Sequence, residues 1–295
     1  MLRHMIESKA AGMTSAQKKI AEYVLDHFQQ AGFQAASQLA EAIGVSEASV
    51  VRMSQYLGFS SYAEFKQEAY QEFISSLSAS KRMSDIAEGG RLLQEDNANP
   101  YAQVLQRDID AIQSAQKNVS YHDIGRLASE IDKASCVYVA AIRGSGISAR
   151  HLAYHLSWIL PCVRMLDVSS ACETLVNAPK DSLLIVVDFP RYVNWSISVL
   201  RTAHQIGIKT ACITDSHSSP YEPYSNLTLT VPYRTVAFVD SCACVISVMN
   251  CIILAVSKRN QSVVTNRLKQ LEYLWQQENV YAGEGHIWLS TLSRG

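Results

Sequence analysis

Several side chains between positions 46 and 55 have the chemistry to read a nucleic-acid duplex. Arg52 can contact guanine bidentately and Gln55 can do the same with adenine. Ser46 and Ser49 bring hydroxyls to a helix start, where free N–H groups suit a phosphate. With Glu47 they fall on or near the outer side of one helix at 3.6 residues per turn. Lys66, Lys18 and Lys19 can add phosphate contacts, although lysines on a helix surface are equally at home in solvent. A second set lies far along the chain. Arg143-Gly144-Ser145-Gly146-Ile147-Ser148 is a glycine-bearing loop between a strand and a helix, where backbone approach and free N–H groups favour an anion. A third, Asp188-Phe189-Pro190-Arg191-Tyr192-Val193, sets a carboxylate beside a guanidinium. Arg191 and Arg143 either pair with Asp188 or bind an anion bidentately. Ser216, in Asp215-Ser216-His217-Ser218-Ser219-Pro220, either touches a ligand or shapes the turn.

Other reactive residues carry less. His151 and His155 stand i, i+4, a spacing that can clamp zinc, but the glutamate of the protease motif is missing and no third ligand suggests itself. A core or interface role fits them better, and no metal or other cofactor is expected. The seven cysteines are scattered through apolar segments and read as free, buried thiols of a reducing compartment. Cys242 and Cys244 lack a zinc-knuckle spacing. An enediol isomerisation needs a base near the sugar carbons. Glu173, His204 and His217 are the titratable residues near the strand ends, and no spacing singles them out.

The elements that must position these groups follow from periodicity. Residues up to Ala11 form a short leading helix. Thr14 or Ser15 caps the next, which Ala31-Gly32 ends. Ser37 caps a helix bearing Leu39, Ala40 and Ile43, Gly44 ends it, and Ser46 caps the helix bearing Val50, Met53 and Leu57. This helix–turn–helix unit lays its second helix in a major groove. Ser60 or Ser61 caps a last helix with Phe65, Ala69 and Phe73. Ser75 to Asn99 has linker composition around Gly89-Gly90 and a possible short helix, and its Lys81-Arg82 pair can touch the nucleic-acid backbone. Beyond Pro100, helices alternate with the apolar strands 136–142, 162–166, 183–187, 210–214 and 227–231. That pattern means a mostly parallel sheet covered on both faces, with ligands beyond the strands' carboxyl ends. Phe238 to Ser257 reads as one long apolar helix and Val263 to Gln277 as the last. His286, Ile287 and Trp288 suggest that the tail is not wholly free.

Composition agrees. The 295 residues suffice for two cores, and 48% apolar with 18% charged content describes a globular protein. A net charge of −1 argues against a nonspecific coat on nucleic acid, while leaving room for a local patch. Arg3, His4, Glu7 and Lys9 interrupt any leader-like run, and Val245 to Val256 is too short to span a bilayer, so a cytoplasmic address and no membrane partner are expected.

Met13 to Leu25, Gln38-Leu39-Ala40, Gly44 to Arg52, Leu57-Gly58-Phe59 and Tyr62 to Lys66 together resemble the N-terminal domain of the RpiR/MurR family of bacterial transcriptional regulators. The resemblance covers about residues 1–77. It implies an operator of double-stranded DNA, a homodimer or homotetramer, and a sugar-isomerase-type (SIS) sensor behind the DNA-reading unit. Residues 124–255 resemble the SIS domain, with Gly144, Gly146 and Ser148 matching its first loop. By that resemblance Ser148 hydrogen-bonds a sugar phosphate. The second loop departs: such domains carry Ser-x-Ser-Gly-x-Thr where this chain has Asp188 to Val193, with a proline that removes a donor. The expected fold class is an all-α helix-turn-helix domain (1–77), a linker (78–99), an α/β doubly wound SIS-type parallel-sheet domain (100–280) and a tail (281–295). The expected function is regulation of a carbohydrate or related operon by a sugar phosphate or another small metabolite. The competing reading is a sugar-phosphate isomerase, which would not need the N-terminal unit.

Overall fold

The computed structural model describes residues 2–87, 99–233, 235–236 and 239–282. Its N-terminal part is helical: α1 Leu2–Lys9, α2 Ser15–Asp26, α3 Phe28–Phe33, α4 Ala36–Ile43, α5 Glu47–Leu57, α6 Tyr62–Ser76 and α7 Ala79–Ala87. Local chemistry sets most of these ends. Thr14 accepts from the Gln17 N–H while the Gln17 side chain accepts from the Thr14 N–H, a capping box that starts α2. Ser46 and Ser61 accept from the N–H groups of Ser49 and Glu64 and start α5 and α6. Gly44 ends α4 at φ 74°, a conformation that costs glycine nothing. Leu2, Ile6, Ile20, Val24, Leu39, Val50, Met53, Leu57 and Phe65 meet in one buried core. Here the structure corrects two expectations. Ser37 does not cap α4; it lies inside the helix, which begins at Ala36, and the Gln38 side chain accepts from the Ala35 N–H instead. Ala31-Gly32 do not end α2, which stops at His27, but lie inside α3. Gly32 is there for proximity: a Cβ on it would come 2.8 Å from the Tyr70 Cα on α6.

The second part runs α8 Pro100–Asn118, α9 Tyr121–Lys133, β1 Val137–Ala140, α10 Ser145–Ile159, β2 Val163–Met165, α11 Ala171–Val176, β3 Leu183–Val187, α12 Asn194–Gln205, β4 Lys209–Thr214, β5 Leu227–Thr230, β6 Thr235–Val236, β7 Val239–Asp240, α13 Ala243–Ser257 and α14 Gln261–Gln277. The first five strands form a parallel sheet in the order β2-β1-β3-β4-β5, with Val137 opposite Val163 on one side and Leu183 on the other. Every residue of β1 and β3 is buried because both faces are covered. Val137, Val139, Ile185 and Ile213 face a core shared with α9, α10 and α13, and Tyr138, Leu184, Val186 and Cys212 face one shared with α12. The strand order reverses at β1 and β3, and in such sheets the crevice for ligands opens there.

Three further expectations are corrected. The apolar run before Ser257 is not one helix from Phe238: α13 begins at Ala243, behind the antiparallel pair β6–β7, and Phe238 itself lies outside the described residues. Not all cysteines are free, since Cys136 and Cys162 form a disulfide. They precede register partners Val137 and Val163 on adjacent strands, which puts their Cα atoms 4.7 Å apart. Cys172 and Cys251 are exposed rather than buried. Arg82 is not a free linker cation; it is buried and paired with Asp240 at 2.8 Å. Gly89-Gly90 and the 286–288 segment lie outside the described residues. Among the described residues no single helix is long and apolar enough to cross a membrane.

Candidate functional site

On the helical head, α5 buries Val50, Met53 and Leu57 and leaves Ser46, Glu47, Arg52 and Gln55 exposed. Ser49 is half-buried between them. The Ser46 and Ser49 hydroxyls are 2.8 Å apart, and Arg52 donates to the Ser49 hydroxyl at 3.3 Å. The result is an exposed polar strip at the N-terminal end of α5 with one guanidinium laid along it. Lys18 and Lys19 are exposed on α2, and Lys66 is half-buried on α6. The strip can place one donor fork and two hydroxyls in a groove.

In the sheet domain, the crevice at the β1/β3 reversal is a cleft of about 380 Å³. Arg143 and Gly144 line it from the loop after β1, Ser145 and Ser148 from the first turn of α10, residues 188–193 from the loop after β3, and Tyr233, Asp240 and Ser241 from the side of the β6–β7 pair. Tyr70 and Ile74, on α6 of the head, also line it. Of the residues singled out from sequence, Arg143, Gly144, Ser148, Asp188 and Arg191 therefore come together. Gly146 does not: it lines a separate cavity with Arg150, His151 and Tyr154. Ser216 does not line the cleft either; its hydroxyl accepts from the Ser218 N–H at 3.0 Å and shapes the turn. The glycines of the first loop are not sterically required, since a Cβ on Gly144 meets nothing within 4 Å and one on Gly146 only makes ordinary contact. The left-handed residue there is Arg143, at φ 55°. Ser148 is buried and its hydroxyl donates back to the Ser145 carbonyl at 3.1 Å.

Asp188 pairs with neither arginine, contrary to one sequence expectation. One carboxylate oxygen accepts from the Ser145 hydroxyl and the Phe189 N–H, both at 3.1 Å. The other accepts from the Val193 N–H at 2.9 Å and from the Tyr221 hydroxyl. Burial pushes this carboxyl above the ordinary carboxylate range, against the pull of those donors. Tyr221 is itself fully buried. Arg143 and Arg191 stay exposed at the mouth.

Behind Tyr192 lies a contact that sequence reasoning missed. Gln29, on α3 of the head, donates through Nε2 to the Tyr192 hydroxyl at 2.8 Å and to Asp215, while Tyr192 donates to Asp215 at 2.7 Å. Phe33 packs edge-on against the Tyr192 ring at 5.6 Å. Burial raises the Asp215 carboxyl above its usual range, and it raises the Tyr192 phenol. Tyr192 thus touches both the cleft and the head.

Glu173, His204 and His217 do not line the cleft. His151 bonds Asn250 at 2.7 Å, and with His155, Tyr154, Trp158 and Trp275 it forms a run of touching rings on α10 and α14. Among the described residues no group of three or more His, Cys, Asp or Glu is placed to hold a metal ion.

Residues 1–76 match the helix-turn-helix domain of the rpiR family, and residues 130–255 match the SIS domain. Similar chains include the HTH-type transcriptional regulators TTE0211 of Caldanaerobacter subterraneus, 22% identical over 79% of this chain and 81% of the relative, and YbbH of Bacillus subtilis, 20% identical over 81% and 82%. Among solved structures, the Vibrio vulnificus NanR protein complexed with ManNAc-6P superposes with a TM-score of 0.65 at 17% identity, covering 96% of this chain and all of that one. The sugar isomerase domain of an RpiR transcription factor from Sphaerobacter thermophilus reaches 0.56 at 23% identity, over 59% of this chain and 98% of that one.

Proposed function

We propose, from the premise that this chain belongs to the RpiR family and joins its helix-turn-helix domain to a SIS domain, a ligand-responsive transcriptional regulator whose operator grip is set from the cleft between its two parts. The observation that carries this reading is the double membership of one cleft. Tyr70 and Ile74 of the head and the loops after β1 and β3 face the same space, and Tyr192 of the second loop bonds Gln29 of the head. A metabolite that contacts Tyr192 or Tyr70 differently in two head positions shifts their equilibrium by that difference in affinity.

The exposed strip of α5 meets the major groove, with Arg52 and Gln55 on base edges and Ser46, Ser49 and Lys66 on phosphates, beside Glu47. Arg143, Gly144, Ser148, Asp188 and Arg191 belong to the effector cleft. One recognition helix covers one half-site, so two or four copies act on paired half-sites about 34 Å apart or a multiple of it. The role is cytoplasmic and non-catalytic, and a carbohydrate or related operon is its target. The test is a duplex-selection experiment with the full chain, followed by titration of metabolites into the protein–duplex complex. The expected result is a salt-sensitive, sequence-specific complex whose affinity one metabolite changes. A chain that retains no duplex sequence over random DNA overturns the reading, and so does turnover of a sugar phosphate by the purified chain at an enzyme's rate.

A further inference from the structure

The floor of the cleft contains an anion site that already holds an anion. Two backbone N–H groups, those of Phe189 and Val193, and two hydroxyls, those of Ser145 and Tyr221, converge on the Asp188 carboxylate, two donors to each oxygen. Ser145 begins α10 and Val193 immediately precedes α12, so two helix starts add their positive ends to the same point. That is the equipment with which a fold receives a phosphate from solution, and here these four donors are taken by the carboxylate. Asp188 is only 2% exposed.

We propose that Asp188 is the specificity-determining residue of this cleft: its carboxylate fills the oxyanion slot between the loops after β1 and β3, so the cleft takes an unphosphorylated, hydroxyl-rich metabolite carrying at most a carboxylate. A phosphate arriving there would have to displace the carboxylate from four donors. The displaced aspartate, tethered at the same spot, would then repel it in a poorly solvated place. The cation chemistry that remains is Arg143 and Arg191 at the mouth, whose exposed forks suit a planar carboxylate but lose most of their Coulomb gain to water. Tyr70, Tyr192 and Tyr233 supply aromatic rings along the walls, and Phe189 stacks on Tyr233 at 4.9 Å. Aromatic faces fit a sugar ring or a polyol chain better than they fit a dianion. This inference rests on reading the cleft as the effector site.

The experiment is calorimetric titration of the full chain with inorganic phosphate and with a panel of hexose phosphates, run in parallel on the parent and on Asp188→Ser. The parent shows no saturable uptake of phosphate, and Asp188→Ser, with the four donors vacated, gains it by about tenfold or more. Saturable binding of phosphate or a hexose phosphate to the parent, competed by the other, overturns the proposal. A folded Asp188→Ser that gains nothing overturns it too, because something other than this carboxylate then excludes phosphate. Should the variant fail to fold, the parent titration decides alone, with uptake against the proposal and blindness to phosphate for it. A parent that selects an operator and releases it with a sugar phosphate defeats only this inference. A parent that selects no operator defeats the reading of the cleft as an effector site, whatever phosphate does.

Discussion

At the scale of single residues, two side chains make opposite demands on their surroundings. Arg52 is useful because it is exposed; among the described residues the Ser49 hydroxyl holds it, at 3.3 Å. Arg52→Ala is expected to cost about 1–3 kcal/mol of specific operator binding, with the melting temperature and any metabolite affinity unchanged. Fluorescence anisotropy on the selected duplex reads this directly, and equal affinities would remove Arg52 from the interface. Asp215 is useful because it is enclosed. Its folded-state pKa is raised by burial, against the pull of Gln29 and Tyr192, so the folded chain holds a proton that the unfolded chain gives up near pH 4. Such a group favours the fold below its unfolded value and loses that contribution as pH climbs through the folded one. Relative to Asp215→Asn, the parent therefore loses stability as pH rises from about 4 and levels off above the raised value, by at most about 1.4 kcal/mol per unit. Denaturant titrations of both proteins across that range test it, and a pH-independent difference would show that Asp215 titrates as in water.

At the scale of elements, α3 and α6 meet at Gly32, where an added Cβ would strike the Tyr70 backbone at 2.8 to 2.9 Å. Gly32→Ala forces the two helices apart and is expected to destabilise the head by about 1–3 kcal/mol, in spite of alanine's better helix propensity. Chemical denaturation gives the sign: a stabilised variant would mean that α6 yields without cost. This contact also shows what a sequence does and does not disclose. The stripe Val50, Met53, Leu57 and the caps Thr14, Ser46 and Ser61 are local facts, set within a few residues, and they were legible. Strands β1 and β3 were legible as near-continuous apolar runs because both their faces are buried. Gly32 reads as a helix stop until α6 is laid against it. The α3 boundary, the β6–β7 pairing ahead of α13, and the Cys136–Cys162 bond all depend on which elements become neighbours. So does the contact of Gln29 with Tyr192 and Asp215, which lie 163 and 186 residues further along the chain. Asp188 was visible as an odd residue in a loop, but its donors Ser145 and Tyr221 come from the start of α10 and from the loop after β4.

At the scale of the whole molecule, Gln29 of the head bonds Tyr192 and Asp215 of the sheet domain beside the cleft. Tyr192→Phe removes the hydroxyl that accepts from Gln29 and donates to Asp215. About 1 kcal/mol per lost bond is expected. Amide exchange should quicken in α2 and α3 while β1, β3 and β4 keep their protection; unchanged exchange in α3 would mean that the head is held by packing alone. The same arrangement has a kinetic side. Tyr70 and Ile74 line the cleft from the head, so a metabolite bound against them, as proposed above, would leave more slowly when the head is held in place. A head pinned on its duplex lifts less often, so an occupied complex outlasts the fall in metabolite supply that follows a pulse. The regulator would then respond to how recently its signal was abundant as well as to how abundant it is.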